Sequence, residues 1–217
     1  SQAELRVLAH RSQDPIMLDV YRTGRDLHDE TMKQHGLSQR KIAKTTNFGW
    51  IYRQGWRTYQ KVLLFKGKIR RSDADCKADL KKQDTIYSGA MSFFKASVRF
   101  AQEYGYTETV LGRRRHLPDI NSKEYSLRSG SERMGFNVEI QGDVADMMKV
   151  MMIRCENEIS EADLLLQVHD ELVFECPIEL VSEAMIKIKD IMENTFEMSI
   201  PFLADVQSGS SWGDAKK

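Results

Sequence analysis

Residues 164–176 read LLLQVHDELVFEC. Two largely apolar runs, 164–168 and 172–176, flank the polar triplet His169, Asp170 and Glu171. Runs of this length with a polar break between them predict two strands paired as an antiparallel hairpin. The break lacks the Asn-Gly or Asp-Gly pair that marks the tightest hairpin turns. Most of the rest of the chain reads as helix. A long helical pattern covers 129–158, and an amphipathic helix covers 180–197. IPFLADVQSGSSWGD, 200–214, reads as a strand and a tail. Tyr106, Thr107, Thr109, Val110 and Leu111 favour strand, and Gly112 starts a basic turn. Residues 55–102 are helical in pattern, broken by KGKIRRSDADCKADLKK (66–82) into a helix–loop–helix on the outside. Ser38 is placed to cap a helix from about Gln39 to Tyr52, and 1–35 read as a strand end, carrying Leu5, Val7 and Leu8, followed by helix up to Gly36. The sum is α+β: a small antiparallel sheet carrying a large helical insertion.

Composition narrows the function classes. The 217 residues hold 32 Lys+Arg against 32 Asp+Glu, with 41% hydrophobic and 29% charged residues, as an ordered globular chain of one domain or two small ones does. No apolar run approaches the ~20 residues that span a bilayer, and no basic-then-apolar leader opens the chain. Cys76, Cys155 and Cys176 lie far apart with no C-x-x-C pair, which argues against zinc and for free thiols in a reducing, cytoplasmic compartment. Zero net charge does not exclude nucleic acid, because acidic metal ligands and basic phosphate contacts cancel in the sum.

Three places could carry chemistry. Arg40, Lys44, Phe48 and Tyr52 recur every four residues and share one helix face. Two cations can hold a polyphosphate, and an aromatic one turn on offers a base a flat surface; a half-exposed helix with a basic surface and an aromatic core has the same pattern. At the hairpin tip His169-Asp170-Glu171, exposed carboxylates could hold magnesium, which usually takes one or two protein carboxylates; aspartate is also ordinary turn chemistry. Arg113, Arg114 and Arg115 at a strand end could touch phosphates, or form a solvated loop. Together the three supply what nucleotidyl transfer needs: triphosphate cations, a stacking ring, a metal carboxylate and backbone contacts.

These residues resemble the family A DNA polymerases, of the bacterial DNA polymerase I type. RKIAKTTNFGWIYRQG (40–55) is similar to the family's fingers helix, R-x-x-x-K-x-x-x-[FY]-G-x-x-Y, with Arg53 where the family usually has glycine. LLLQVHDELVFECP (164–177) resembles the palm motif V-H-D-E, and SQAELRVLAHRSQD (1–14) the first palm motif entered partway. TETVLGRRRHLPDINS (107–122) and SERMGFNVEIQGDVADMMKVMM (131–152) resemble two further blocks. The weakest stretch is 53–85.

The resemblance implies an incomplete palm at 1–35, fingers at 36–105 and the rest of the palm at 106–217. It implies a DNA-directed DNA polymerase that adds dNTPs to a primer by a two-metal mechanism with Mg2+. Arg40 and Lys44 would hold the triphosphate, with His28 a further phosphate contact. Phe48 would stack on the nucleotide, Tyr52 would sit near the template base, Glu4 would reject ribonucleotides, and Gln2 would belong to the same substrate site. Asp170 would ligate the metals with Glu171 beside it, and Lys44 would act with them in catalysis. Arg113, Asn137, Gln141 and His169 would touch the primer–template. The family's other metal aspartate lies two residues before the serine that is Ser1 here. The expectation is therefore a C-terminal piece, inactive alone and complemented by an upstream fragment carrying the thumb and that aspartate. A split gene whose halves associate or are spliced fits, since a serine suits a splice junction. The alternative is a non-catalytic nucleotide- or DNA-binding remnant of a polymerase; a third reading is a structural subunit.

Overall fold

The opening stretch is helix, not a strand end: α1 spans Ala3–Ser12. Its burial does not alternate, as a half-buried strand's would. Ala3, Leu5, Arg6, Val7, Leu8 and Ala9 are all buried, because α1 runs through the middle of the main core. The computed structural model describes residues 2–216; Ser1, and with it any role at a splice junction, lies outside the described residues. Asp14 caps α2 (Pro15–Arg22), accepting from the N–H groups of Ile16 and Met17, with Pro15 at the first helical position. Asp26 caps α3 (Leu27–His35) in the same way, and Gly36 closes it in the left-handed conformation. The helix α4 (Arg40–Ile51) matches the sequence reading closely, except that Gln39 and not Ser38 is its N-cap, with no side-chain cap bond.

α5 (Trp56–Gly67) and α6 (Asp73–Ile86) are the expected helix–loop–helix, with Ser72 and Asp75 forming a reciprocal capping box. A second core of Leu37, Ile42, Ala43, Tyr59, Leu63 and Cys76 joins them to α4. Arg53, at φ 54°, turns the chain between α4 and α5 in the left-handed region that glycine adopts without cost. Its guanidinium grips Asp84 of α6 at 2.7 and 3.2 Å and lies over Phe94.

α7 (Ser88–Tyr104) leads into β1 (Tyr106–Glu108), which pairs antiparallel with β2 (Arg114–His116). The strand is shorter than the sequence suggested: Thr109–Gly112 form the turn, closed by Gly112 at φ 80°. α8 (Tyr125–Glu158) starts four residues before the expected Ser129. The hairpin of β3 (Asp163–Val168) and β4 (Glu171–Glu175) is where the sequence put it, and α9 (Val181–Asn194) follows a short 3₁₀ turn. The fold is α+β, but among the described residues its strands form two separate two-stranded sheets.

The expected C-terminal strand is absent. Ile200, Phe202 and Ala204 are buried alternately, as in a strand, yet side chains satisfy this backbone. Ser199 N–H donates to His10, Ala204 N–H donates to Glu193, and the Pro201 carbonyl accepts from Arg6. The last element among the described residues is α10 (Trp212–Ala215).

Candidate functional site

α4 presents its expected stripe because its other face is buried. Ile42, Ala43, Thr46, Asn47, Trp50 and Ile51 are buried, leaving Arg40 and Lys44 exposed and Phe48 and Tyr52 half-buried. Arg40 pairs with Asp26 at 2.5 Å and Asp29 at 3.4 Å, and the Asp26 bond raises its pKa. Burial works to raise the Asp26 carboxyl, but Arg40 and the N–H groups of Asp29 and His28 outweigh it and hold it below the usual range. Gln2 joins this group, donating to Asp26 at 2.8 Å and accepting from the Tyr21 hydroxyl at 3.0 Å. Lys44 makes no hydrogen bond or ion pair among the described residues, so its charge is open to a ligand. On α3, near the two cations, lies His28, 6.0 Å ring to ring from Phe48; burial pushes its pKa down to about 4.

One turn beyond Phe48, three expected residues meet from three helices. The Tyr52 hydroxyl donates to the Glu4 carboxylate of α1, and the Gln141 amide of α8 donates to Tyr52 at 3.0 Å and to Glu4 at 3.3 Å. Burial, and then Glu4, push the Tyr52 pKa up, so the hydroxyl stays a donor.

Arg113 is held by α8. It donates to Asp146 at 3.0 Å and to the Gly142 carbonyl at 3.2 Å, with its side chain about half exposed. Arg114 instead pairs with Glu108 and lies over Tyr106. Asn137 and Gln141 follow one another along α8 at four-residue spacing, and Asn137 Oδ1 is buried without a partner among the described residues.

At the hairpin tip, two residues link β3 to β4, with His169 at φ 56°. Asp170 is exposed and makes no hydrogen bond or ion pair among the described residues. Glu171 is engaged: it accepts from Trp212 Nε1 at 2.5 Å and pairs with Lys216 at 2.9 Å, and Lys216 first, then Trp212, lower its pKa. Asp170 is thus the open carboxylate of the pair, which suits one ligand position of a hard cation. No group of three or more metal-ligating side chains occurs among the described residues. Nor does a hydrogen bond or ion pair among them join His169 or Asp170 to the α3–α4 cluster.

The sequence reading missed an acidic ladder on α8. Glu139 accepts from the hydroxyls of Ser97 and Thr107, Asp143 from Val110 N–H, and Asp146 from Thr109. Arg11 of α1 bridges the first two, at 3.4 and 3.0 Å. This ladder fixes β1 and its turn, and so places Arg113. The spacing i, i+4, i+7 was the available signal. Burial pushes Asp143 up to about 6, while for Asp146 the bonds from Thr109, Arg113 and Lys149 outweigh burial and lower it. Asn47 was missed too.

A family model for DNA polymerase family A matches residues 1–214. DNA polymerase I of Borreliella burgdorferi is 36% identical over 226 residues, 99% of this chain and 24% of that protein. The thermostable DNA polymerase I of Thermus filiformis is 36% identical over 227 residues, 100% of this chain and 26% of that protein. A solved structure, the POL domain of Pol1 from M. smegmatis in complex with DNA primer-template and dNTP, superposes with a TM-score of 0.91 at 31% identity, covering 100% of this chain and 39% of that one. The chain spans about a quarter of the length of the curated relatives it matches. No helix among the described residues is long and apolar enough to cross a membrane.

Proposed function

This chain belongs to DNA polymerase family A, and from that premise we propose that it supplies the nucleotide-binding and part of the catalytic surface for template-directed DNA synthesis in the cytoplasm. The observation that carries the reading is the α4 stripe: an open Lys44, an Arg40 paired with the partly exposed Asp26 and Asp29, Phe48, and Tyr52 tied to Glu4 and Gln141. An arriving triphosphate exchanges with Asp26 and Asp29 for the Arg40 fork and takes the Lys44 charge. Phe48 stacks on the nucleotide. Glu4, held from two sides, stands where it excludes a 2′-hydroxyl. Gln2 holds Asp26 in place, and His28 donates to a phosphate oxygen. Arg113, Asn137, Gln141 and His169 contact the primer–template duplex.

Mg2+ would be held on this chain by Asp170, with Glu171 beside it, and when bound supplies charge neutralisation on the phosphates and activation of the primer hydroxyl. Two ions need a second carboxylate, and we place it, with the thumb, on an upstream fragment outside these residues. Support comes from β3: it pairs only with β4 among the described residues, and Leu165 and Leu166 on it, with Ile153 on α8 nearby, are about half exposed or more. Ile153 and Leu164 also line an open groove of about 290 Å³. An apolar strand with a free edge is a surface that another strand covers. In this reading residues 1–35 and 106–217 are palm and 36–105 are fingers, a division supported by the separate second core within 36–105.

The test is dNTP affinity, measured with primer–template present. Charge-assisted hydrogen bonds contribute about 1.5–3 kcal/mol each, so Arg40→Ala and Lys44→Ala should each weaken dNTP binding roughly 10- to 100-fold. Unchanged affinity in both variants would refute the site.

A further inference from the structure

His28 is 1% exposed, and its Nε2 is buried with no hydrogen-bond partner among the described residues. Whether that nitrogen is an N–H donor or a bare lone pair depends on the other ring nitrogen, because a neutral imidazole carries one proton. Nδ1 lies 2.9 Å from Asn47 Nδ2. The orientation of the Asn47 amide therefore decides the tautomer, and its surroundings fix that orientation. The Leu27 carbonyl, which can only accept, lies 3.4 Å from the same Nδ2. On the other side of the amide, Gln83 Nε2 donates to Asn47 Oδ1 at 2.9 Å, and the Thr31 hydroxyl lies 2.8 Å from it. A reversed amide would set its oxygen against the Leu27 carbonyl, acceptor against acceptor. Asn47 itself is 1% exposed, so water offers no substitute partner.

We propose that Asn47 is a positioning residue that holds His28 as the neutral Nε2–H tautomer, so that a directed N–H donor is offered to an oxygen of the nucleotide's phosphates. The phosphate half of this proposal rests on the nucleotide-site reading of α3 and α4. A bare lone pair at Nε2 would repel a phosphate oxygen. An imidazolium would add a buried cation beside the exposed cations Arg40 and Lys44; the charged groups around the ring are these two on α4 and Asp26 and Asp29 on the α3 side. A neutral donor avoids both, and a buried donor left without a partner gains one when the phosphate arrives.

The experiment is long-range ¹H–¹⁵N NMR on the full chain labelled with ¹⁵N-histidine, with His28 assigned by its loss in His28→Gln. At pH 7 the wild type should show a proton-bearing Nε2 and a bare Nδ1. Asn47→Asp places an acceptor-only carboxylate at Nδ1 and should turn the ring into the imidazolium at pH 7. Gln83→Glu leaves α4 unaltered but draws the Asn47 NH₂ group toward itself, and should move the proton from Nε2 to Nδ1. A wild-type ring protonated on Nδ1, or an even mixture, would overturn the proposal. So would a wild-type pattern in both variants, each shown folded by circular dichroism. Tripolyphosphate is the probe for the phosphate half and should shift the wild-type Nε2 resonance. An Nε2–H signal unmoved at saturating tripolyphosphate would overturn the placement beside a phosphate and count against the nucleotide site, while the tautomer result stands separately.

Discussion

Asp14 is 0% exposed, and its carboxylate caps two helices at once. Oδ1 accepts from Ile16 N–H at 3.1 Å and Met17 N–H at 3.0 Å, at the start of α2. Oδ2 accepts from Gly89 N–H at 2.8 Å and Ala90 N–H at 3.2 Å, in the first turn of α7. Gly89 is bare at this point because a Cβ there would lie 2.7 Å from Asp14 Cα. One side chain thus ties α2 to a helix about 75 residues further on. Removing an N-cap costs about 0.5–2 kcal/mol, so losing two costs about 1–4. Met17 and Ala90 are buried, so their freed N–H groups cannot turn to water, which adds about 1–3 kcal/mol for each left unpaired. Asp14→Ala should therefore destabilise the chain by at least about 3 kcal/mol, a large share of a typical 5–15. Asp14→Asn keeps one oxygen and so one cap, and should cost roughly half as much. Urea unfolding followed by circular dichroism gives the stability, and hydrogen exchange at the Met17 and Ala90 amides gives the local effect. An Asp14→Ala cost below about 1 kcal/mol, or unchanged protection of those two amides, would refute the double cap.

Other perturbations reach the candidate site through its supports. A Cβ on Gly142 would lie 2.7 Å from Thr109 Cγ2 and 3.1 Å from Arg113 Nη2, so Gly142→Ala should cost about 1–3 kcal/mol by overpacking and weaken primer–template binding, read by fluorescence anisotropy. Asp143 has its folded-state pKa raised to about 6, above the ~3.9 of an unfolded aspartate, so the folded state binds the extra proton between those values. Its contribution to stability is most favourable below about pH 4 and is lost as pH rises through about 6, by up to about 3 kcal/mol. Measured from pH 4 to 7, the stability of Asp143→Asn relative to wild type should accordingly improve as pH rises; a relative decline would contradict the assignment.

The parts of the fold legible in the sequence are those that local pattern dictates. The α4 stripe was readable because four-residue spacing alone puts Arg40, Lys44, Phe48 and Tyr52 on one face, and the β3–β4 hairpin because two apolar runs have no other short-range solution. The opening helix was misread because Leu5, Val7 and Leu8 fit a strand as well as a helix buried all round, and only the helices packed on α1 decide between them. Residues 200–206 keep a strand's alternation without a strand partner, since Arg6, His10 and Glu193, distant in sequence, satisfy the backbone instead. Arg53 departs from the family's glycine yet takes the left-handed conformation that glycine favours, held by Asp84, a compensation 31 residues away. Asn47 was invisible for the same reason: its partners Leu27, His28, Thr31 and Gln83 come from two other helices.

In the proposed function, Asp170, the open carboxylate of the β3–β4 turn, would be this chain's metal ligand in nucleotidyl transfer. Primer extension with Mg2+ by the chain joined to an upstream fragment, wild type against Asp170→Asn, tests it most directly, with duplex affinity measured in parallel. Removing the anion that would sit against the metal charge would weaken charge compensation in the transition state but leave the backbone contacts of the duplex alone. Asp170→Asn should lower turnover by about 10³-fold or more with duplex affinity unchanged. Near-normal turnover in Asp170→Asn would place the metal chemistry elsewhere and contradict it.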